Sequence, residues 1–203
     1  MDARELRAKY RGFAPWYDLA EALPEVLGIR RLRRQLLAHA TGRVLEVAAG
    51  TGKSFRFYQP TPTAVAIDLS REMLERARRR ALELHRRYVF AVMDAERLGF
   101  RDRAFDVVVS TLSTCTFPDP VRALREMGRV CREDGRILLV EHGRSDLTWA
   151  ARYQDRRAEA HARMIGCHWN REPVELVKAA GLRVSRADRR FLGVLHAIEA
   201  RPA

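Results

Sequence analysis

Five short apolar runs, separated by amphipathic stretches, constrain this chain more than any other feature. They are Val44-Leu-Glu-Val47, Ala64-Val-Ala-Ile67, Tyr88-Val-Phe-Ala-Val-Met93, Phe105-Asp-Val-Val-Val109 and Ile137-Leu-Leu-Val140. Each has strand length, and Arg71–Arg87 and Pro120–Arg132 between them read as helices. Strands that alternate with helices predict a parallel sheet with crossover helices. Arg183–Arg189 and Gly193–Ala200 read as two closing strands. Residues 1–40 read as helical, with Pro15 and Pro24 breaking the run. A chain of 203 residues suits one α/β domain and hardly two. The expected division is an N-terminal helical segment, 1–40, and a core, 41–203, without internal repeat or linker.

Three of the runs end in a glycine turn or a carboxylate. The first runs into Ala48-Ala-Gly-Thr-Gly52, the second ends at Asp68 and the third at Asp94. Open α/β sheets bind ligands at the carboxyl ends of their strands. Glu46, Gly50, Gly52, Asp68 and Asp94 are therefore expected along one sheet edge. The two glycines let backbone approach a ligand. Asp68 is placed to accept both hydroxyls of a ribose, and Asp94 to accept from an exocyclic adenine amine. Leu69 and Met73 supply apolar surface for an adenine face. This describes a nucleoside pocket with no obvious phosphate cradle.

Two nucleotide alternatives fit less well. Gly50-Thr-Gly-Lys-Ser54 mimics the end of a P-loop, but Val47 stands where that motif needs its first glycine. A dinucleotide fold needs a third glycine at residue 55, which is Phe55. A plain strand–helix turn accounts for either glycine alone, but less well for the ordered set with Asp68 and Asp94.

Composition bounds compartment and partners. No stretch approaches the roughly 20 apolar residues of a membrane span. The opening Met1-Asp-Ala-Arg-Glu-Leu-Arg lacks the apolar core of a secretory signal, so a cytoplasmic location is expected. Cys115, Cys131 and Cys167 lie far apart with no Cys-x-x-Cys pair, which argues for a reducing compartment and against a structural zinc site. The net charge is +12, and only three of the 38 basic residues are lysine. Such charge permits an anionic partner, an acidic lipid surface or nucleic acid. No nucleic-acid-binding motif is recognised, so that partner is not expected.

The motifs also resemble a family. Val44-Leu-Glu-Val-Ala-Ala-Gly-Thr-Gly52 resembles motif I of the class I S-adenosylmethionine (SAM)-dependent methyltransferases, and Ala64-Val-Ala-Ile-Asp-Leu-Ser-Arg-Glu-Met-Leu74 their motif II. Asp94-Ala-Glu-Arg-Leu-Gly-Phe, Phe105-Asp-Val-Val-Val and Leu124-Arg-Glu-Met-Gly-Arg-Val resemble the later motifs. The resemblance implies a Rossmann-like α/β fold, with a mostly parallel seven-stranded sheet, helices on both faces and an N-terminal helical lid. It implies SAM as cofactor and S-adenosylhomocysteine as product. The positions implied to hold SAM are Glu46, Ala48, Gly50, Gly52, Asp68, Leu69, Met73, Asp94, Ala95 and Thr111. Ala48 departs from the pattern, since glycine is commoner there.

Tyr10-Arg-Gly-Phe-Ala-Pro-Trp-Tyr-Asp18 is similar to the opening of ubiquinone/menaquinone C-methyltransferases and of bacterial phosphatidylethanolamine N-methyltransferases. Glu141-His-Gly-Arg-Ser145, His161-Ala and Gly166-Cys-His-Trp-Asn-Arg171 resemble a branch of mitochondrial methyltransferase-like and small-thiol methyltransferases. The acceptor expected first is hydrophobic or lipid, with phosphatidylethanolamine at its head. A quinone precursor or a small thiol is the alternative. A non-catalytic SAM-fold binding or assembly protein is an alternative of another class.

Methyl transfer from a sulfonium is an in-line displacement, and it needs a base only if the acceptor must first lose a proton. Tyr17, Glu141 and His142 are the candidates on the acceptor side. His161, Cys167 and His168 lack a second clear ligand pair, so they read as a structural cluster and no metal is expected. Cys115 reads as a small buried residue. Leu19–Ala40 carries Leu23, Leu27, Leu32 and Leu36 beside Arg30, Arg31, Arg33 and Arg34. It is either an interfacial helix on an anionic membrane or a lid packed on the domain.

Overall fold

The computed structural model describes residues 5–12, 25–59 and 63–203. Seven strands form one sheet: β1 (Arg43–Val47), β2 (Thr63–Asp68), β3 (Val89–Val92), β4 (Phe105–Thr111), β5 (Cys131–His142), β6 (Arg183–Arg190) and β7 (Leu195–Arg201). Their spatial order is β3-β2-β1-β4-β5-β7-β6. The first five are parallel, and β7 runs antiparallel to both β5 and β6. β1 pairs with β2 on one side and β4 on the other, so the winding reverses there and opens a crevice at the strand ends.

The helices are α1 (residues 5–12), α2 (Arg30–Leu37, entered through a wide turn at Glu25–Ile29), α3 (Arg71–Glu83), α4 (Pro120–Val130), α5 (Thr148–Ile165) and α6 (Pro173–Ala179). Their ends follow local chemistry. Ser70 caps α3 by accepting from the Met73 amide, and Asp119 caps α4 by accepting from Arg122 ahead of Pro120. Gly166 closes α5 in the left-handed conformation, φ 82°.

Strand alternation splits the core into two layers. Leu45, Ile67, Phe105 and Leu139 pack toward Leu124, Met127 and Val177 of α4 and α6. Val44, Ala66, Val109 and Leu138 pack with Leu37, Phe55, Ala77 and Ala81 on the other face. Central strands buried on both faces need continuous apolar runs, and those were the runs visible in the sequence.

α2 is a packed element. Ile29 and Leu32 are buried against Val140, Leu195 and Ala197, and Leu37 lies in the core. Arg33 is only 3% exposed; it pairs with Glu25 and donates to Thr111 Oγ1 at 3.3 Å. An interfacial helix that inserts Leu32 into lipid is thus corrected, because the sheet already covers that side chain. Arg30, Arg31 and Arg34 remain exposed. Leu23 lies outside the described residues.

Candidate active site

A cleft opens at the carboxyl ends of β1, β2 and β4. Ala48, Gly50, Asp68, Leu69, Met73, Asp94, Ala95 and Thr111 all line it. These are eight of the ten positions implied to hold SAM.

The turn after β1 is tied to the end of β2. Asp68 Oδ2 accepts from the Gly50 amide at 2.8 Å, and Oδ1 accepts from the Ser70 amide at 2.9 Å. Each oxygen keeps further acceptor capacity for a ligand hydroxyl. Burial pushes the Asp68 carboxyl up to about 6, against the lowering pull of the Ser70, Gly50 and Leu69 amides. Gly50 sits at φ 56°, and a Cβ built on it meets nothing within 4 Å, so backbone faces open space there. Asp94 fixes its own turn by accepting from the Glu96 amide at 2.9 Å. Buried Met73 and part-buried Leu69 and Met93 supply apolar wall. A diol acceptor, apolar faces and a second carboxylate fit a nucleoside carrying a cationic sulfonium.

Glu46 and Gly52 do not line the cleft; they hold up its floor. Glu46 is 1% exposed and accepts from the Tyr58 hydroxyl at 2.8 Å. Burial raises its carboxyl to about 7, although Tyr58, Ser54 and Arg33 pull it down. Gly52 has φ 76°, and a Cβ there would stand 2.5 Å from the Phe55 ring. Its glycine serves the packing of a fully buried aromatic. Ala48 takes the left-handed conformation, φ 53°, without being glycine. Of the P-loop mimic, Ser54 is buried against Thr111 Oγ1 at 3.2 Å, and neither it nor Lys53 lines the cleft.

Of the acceptor-side candidates, Glu141 and His142 do not line the cleft. Tyr17 lies outside the described residues. Glu141 is fully buried behind the cleft wall, where it accepts from the Ser113 amide at 3.0 Å and the Thr114 amide at 3.2 Å. It positions that wall and does not face the cleft. His142 is also off the cleft, with Nε2 at 3.2 Å from Cys167 Sγ. The loop after β4, residues 112–118, meets the end of β5, where its Ser113 and Thr114 amides hold Glu141 and its Cys115 lies within 4.8 Å of His142.

That loop and α1 supply residues the sequence did not single out. Leu6, Arg7 and Tyr10 of α1, with Leu112, Ser113, Thr116 and Phe117, complete the cleft. Tyr10 lies in the opening that carried the family resemblance; the others belong to no local motif. His161 meets Cys167 through a structural contact, and the His168 amide donates to the Cys115 carbonyl at 2.9 Å. His161 Nδ1 is 2.8 Å from the Cys167 carbonyl, and its ring stacks on Trp169 at 4.1 Å. Cys115 and His142 also come beside Cys167.

Comparison with known proteins follows this geometry. A family described as a methyltransferase domain matches residues 45–139. The mitochondrial methyltransferase OMS1 of Saccharomyces cerevisiae is 29% identical over 221 residues, covering 99% of this chain and 47% of that one. A phosphatidylethanolamine N-methyltransferase of Cereibacter sphaeroides is 42% identical over 115 residues, covering 54% of this chain and 57% of that one. The ubiquinone/menaquinone biosynthesis C-methyltransferase UbiE of Citrifermentans bemidjiense is 34% identical over 147 residues, covering 67% and 62%. The chain thus spans about half to three-fifths of the length of these relatives. A SAM-dependent methyltransferase of Thermotoga maritima shares the fold with a TM-score of 0.67 at 20% identity, over 96% of this chain and 100% of that one.

Proposed function

Residues 45–139 of this chain match a family described as a methyltransferase domain and lie in a Rossmann-like methyltransferase fold, and from that premise we propose that the protein methylates an amine on a hydrophobic acceptor, phosphatidylethanolamine first. The stretch shared with the phosphatidylethanolamine N-methyltransferase of Cereibacter sphaeroides carries that choice. The whole chain acts as one methyltransferase domain in this reading, with α1 covering the cleft through Leu6, Arg7 and Tyr10.

SAM supplies an electrophilic methyl group when bound. Asp68 would hold the ribose hydroxyls, Leu69 and Met73 would flank the adenine, and Asp94 with the Ala95 backbone would meet its polar edge. Gly50 would bring backbone close to the methionine portion. Thr111 and Ser113 line the cleft wall, and Glu141 fixes that wall through the Ser113 and Thr114 amides. Leu6, Leu112 and Phe117 give an apolar surround that excludes water. No carboxylate beyond those assigned to the cofactor lines the described cleft, so the work of these residues is alignment and exclusion.

A lipid acceptor calls for a membrane-facing surface, and one patch supports it. Trp149, Phe191 and Leu192 are 72%, 53% and 63% exposed. Gly28, just before α2, lies against the Phe191 ring, and the Leu192 carbonyl accepts from Asp146 near the start of α5. Phe191 therefore neighbours the start of α2 with exposed Arg30 and Arg31. No described helix is long and apolar enough to cross a membrane, so contact would be peripheral.

The test is transfer of a labelled methyl group from SAM to phosphatidylethanolamine, a demethylated quinone and small thiols, with products identified by mass spectrometry. Label on the lipid amine is expected. Label only on the quinone carbon or the thiol sulfur moves that acceptor to first place, and no transfer while SAM binds favours the binding-protein alternative.

A further inference from the structure

The densest group of soft ligand atoms among the described residues lies behind the cleft wall. Cys115 sits in the loop after β4, His142 ends β5, and Cys167 follows the glycine that closes α5. Their two sulfurs and one ring nitrogen all lie within 4.8 Å of one another. Cys167 Sγ is 3.2 Å from His142 Nε2. Zinc–sulfur bonds of about 2.3 Å and zinc–nitrogen bonds of about 2.0 Å put tetrahedral ligand atoms roughly 3.5–3.8 Å apart. The Cys167–His142 pair already sits close to that spacing, and the Cys115 sulfur lies within 4.8 Å of both atoms.

We propose that Cys115, His142 and Cys167 bind one zinc ion, with a fourth position left for water. Two thiolates and one imidazole are a ligand set that zinc takes with an open position. The charges also balance. Two buried thiolates neutralise a divalent cation, while Arg171 and Glu141, both close to the pair, offset each other. Supporting contacts surround the ligands as such sites require. His161 bonds the Cys167 carbonyl, the His168 amide donates to the Cys115 carbonyl at 2.9 Å, and Arg171 donates to the Phe117 carbonyl at 2.9 Å. His161 is held off the metal by that bond and by its stack on Trp169.

The site would join three segments that touch nowhere in sequence: the loop after β4, the end of β5 and the turn between α5 and α6. The first of these also lines the cleft with Leu112, Ser113, Thr116 and Phe117. Zinc would therefore stiffen the cleft wall from behind. This reading does not depend on which acceptor is methylated.

The test uses the full chain without a histidine tag, purified under a thiol reductant, with zinc measured by mass spectrometry of the metal. About one zinc per chain is expected, and Cys115→Ser, Cys167→Ser and His142→Ala should each lower occupancy at least tenfold. Wild-type protein stripped by a chelator should melt several degrees lower and recover on adding zinc, which keeps the test open if a variant misfolds. Cobalt loaded in place of zinc should give thiolate charge-transfer absorption. Wild-type protein that takes up neither zinc nor cobalt overturns the proposal. So does a resting Cys115–Cys167 disulfide seen as a loss of two hydrogens in intact mass, or zinc retained when all three residues are replaced.

Discussion

Replacing Asp68 by asparagine isolates one oxygen pair in the cleft. Asparagine keeps the shape, but it loses the charge and turns one acceptor into a donor. In the native site each carboxylate oxygen already holds one backbone amide, from Gly50 and from Ser70. The ribose hydroxyls would use the remaining capacity. Hydrogen bonds to a charged group contribute about 1.5–3 kcal/mol, so SAM and S-adenosylhomocysteine should both bind about 10–150-fold more weakly. The pH dependence sharpens this. The carboxyl titrates near 6 in the ligand-free protein, and the hydroxyls bind its ionised form. Affinity should be constant above about pH 7 and fall toward tenfold per unit below about pH 6; the asparagine variant should lack that limb. Titration calorimetry from pH 5 to 8, with thermal unfolding as a check on folding, measures both effects. A folded Asp68→Asn protein that binds within twofold of wild type, or that keeps the acid limb, refutes the assignment.

Four further outcomes follow from the cleft and the exposed patch. The Glu46 carboxyl has a native value near 7 against an ordinary 4.5, so the native state holds its proton more tightly than the unfolded chain. Its contribution is fully present below about pH 4.5 and is lost as pH rises to 7, a change of about 3 kcal/mol. Glu46→Gln should therefore be more stable than wild type in urea at pH 8, with the difference gone by about pH 4; equal stability at pH 8 contradicts this. Gly52→Ala should cost about 1–3 kcal/mol by forcing alanine into the Phe55 ring. Ala48→Gly should instead gain about 0.5–1 kcal/mol by relieving a left-handed alanine, and denaturant midpoints with opposite signs are the check. Anionic vesicles should pull down the wild type at low salt. Each of Arg30, Arg31 and Arg34 changed to glutamine should weaken that roughly fivefold, and wild type left in the supernatant removes the membrane surface from the proposal.

The strand ends were legible because each carried its own signal: an apolar run, then a glycine or a carboxylate. Asp68, Asp94 and Gly50 lie where that pattern put them. Glu46 and Gly52 share the same motif, but lining a cleft and backing it leave one mark in a sequence. Only the contacts with Tyr58 and Phe55 separate the two roles. Helix α5 was missed because its buried face is Ala151, Gln154, Ala158 and Ala162, small or polar residues that barely register as an apolar stripe. Its large apolar residues, Trp149, Tyr153 and Met164, point outward. The grouping of Cys115, His142 and Cys167 had no local spacing to betray it, since three separate segments meet there.

The outermost strand puts the chain's arginine excess in another light. β6 reads Arg183-Val-Ser-Arg-Ala-Asp-Arg-Arg190 and is exposed along nearly all of its length. Its inner side pairs with β7, and its outer side offers unpaired backbone groups, a template for a strand of another molecule. Four arginines and an aspartate make that template costly to approach, because a second copy would bring like charges together. The opposite border, β3, is only four residues long, although Val89 and Val92 are 62% and 48% exposed. One border is guarded by charge and the other by brevity. Neutralising the β6 arginines would thus raise the tendency to aggregate while the cleft stayed intact, which gives part of the +12 net charge a role in colloidal self-avoidance.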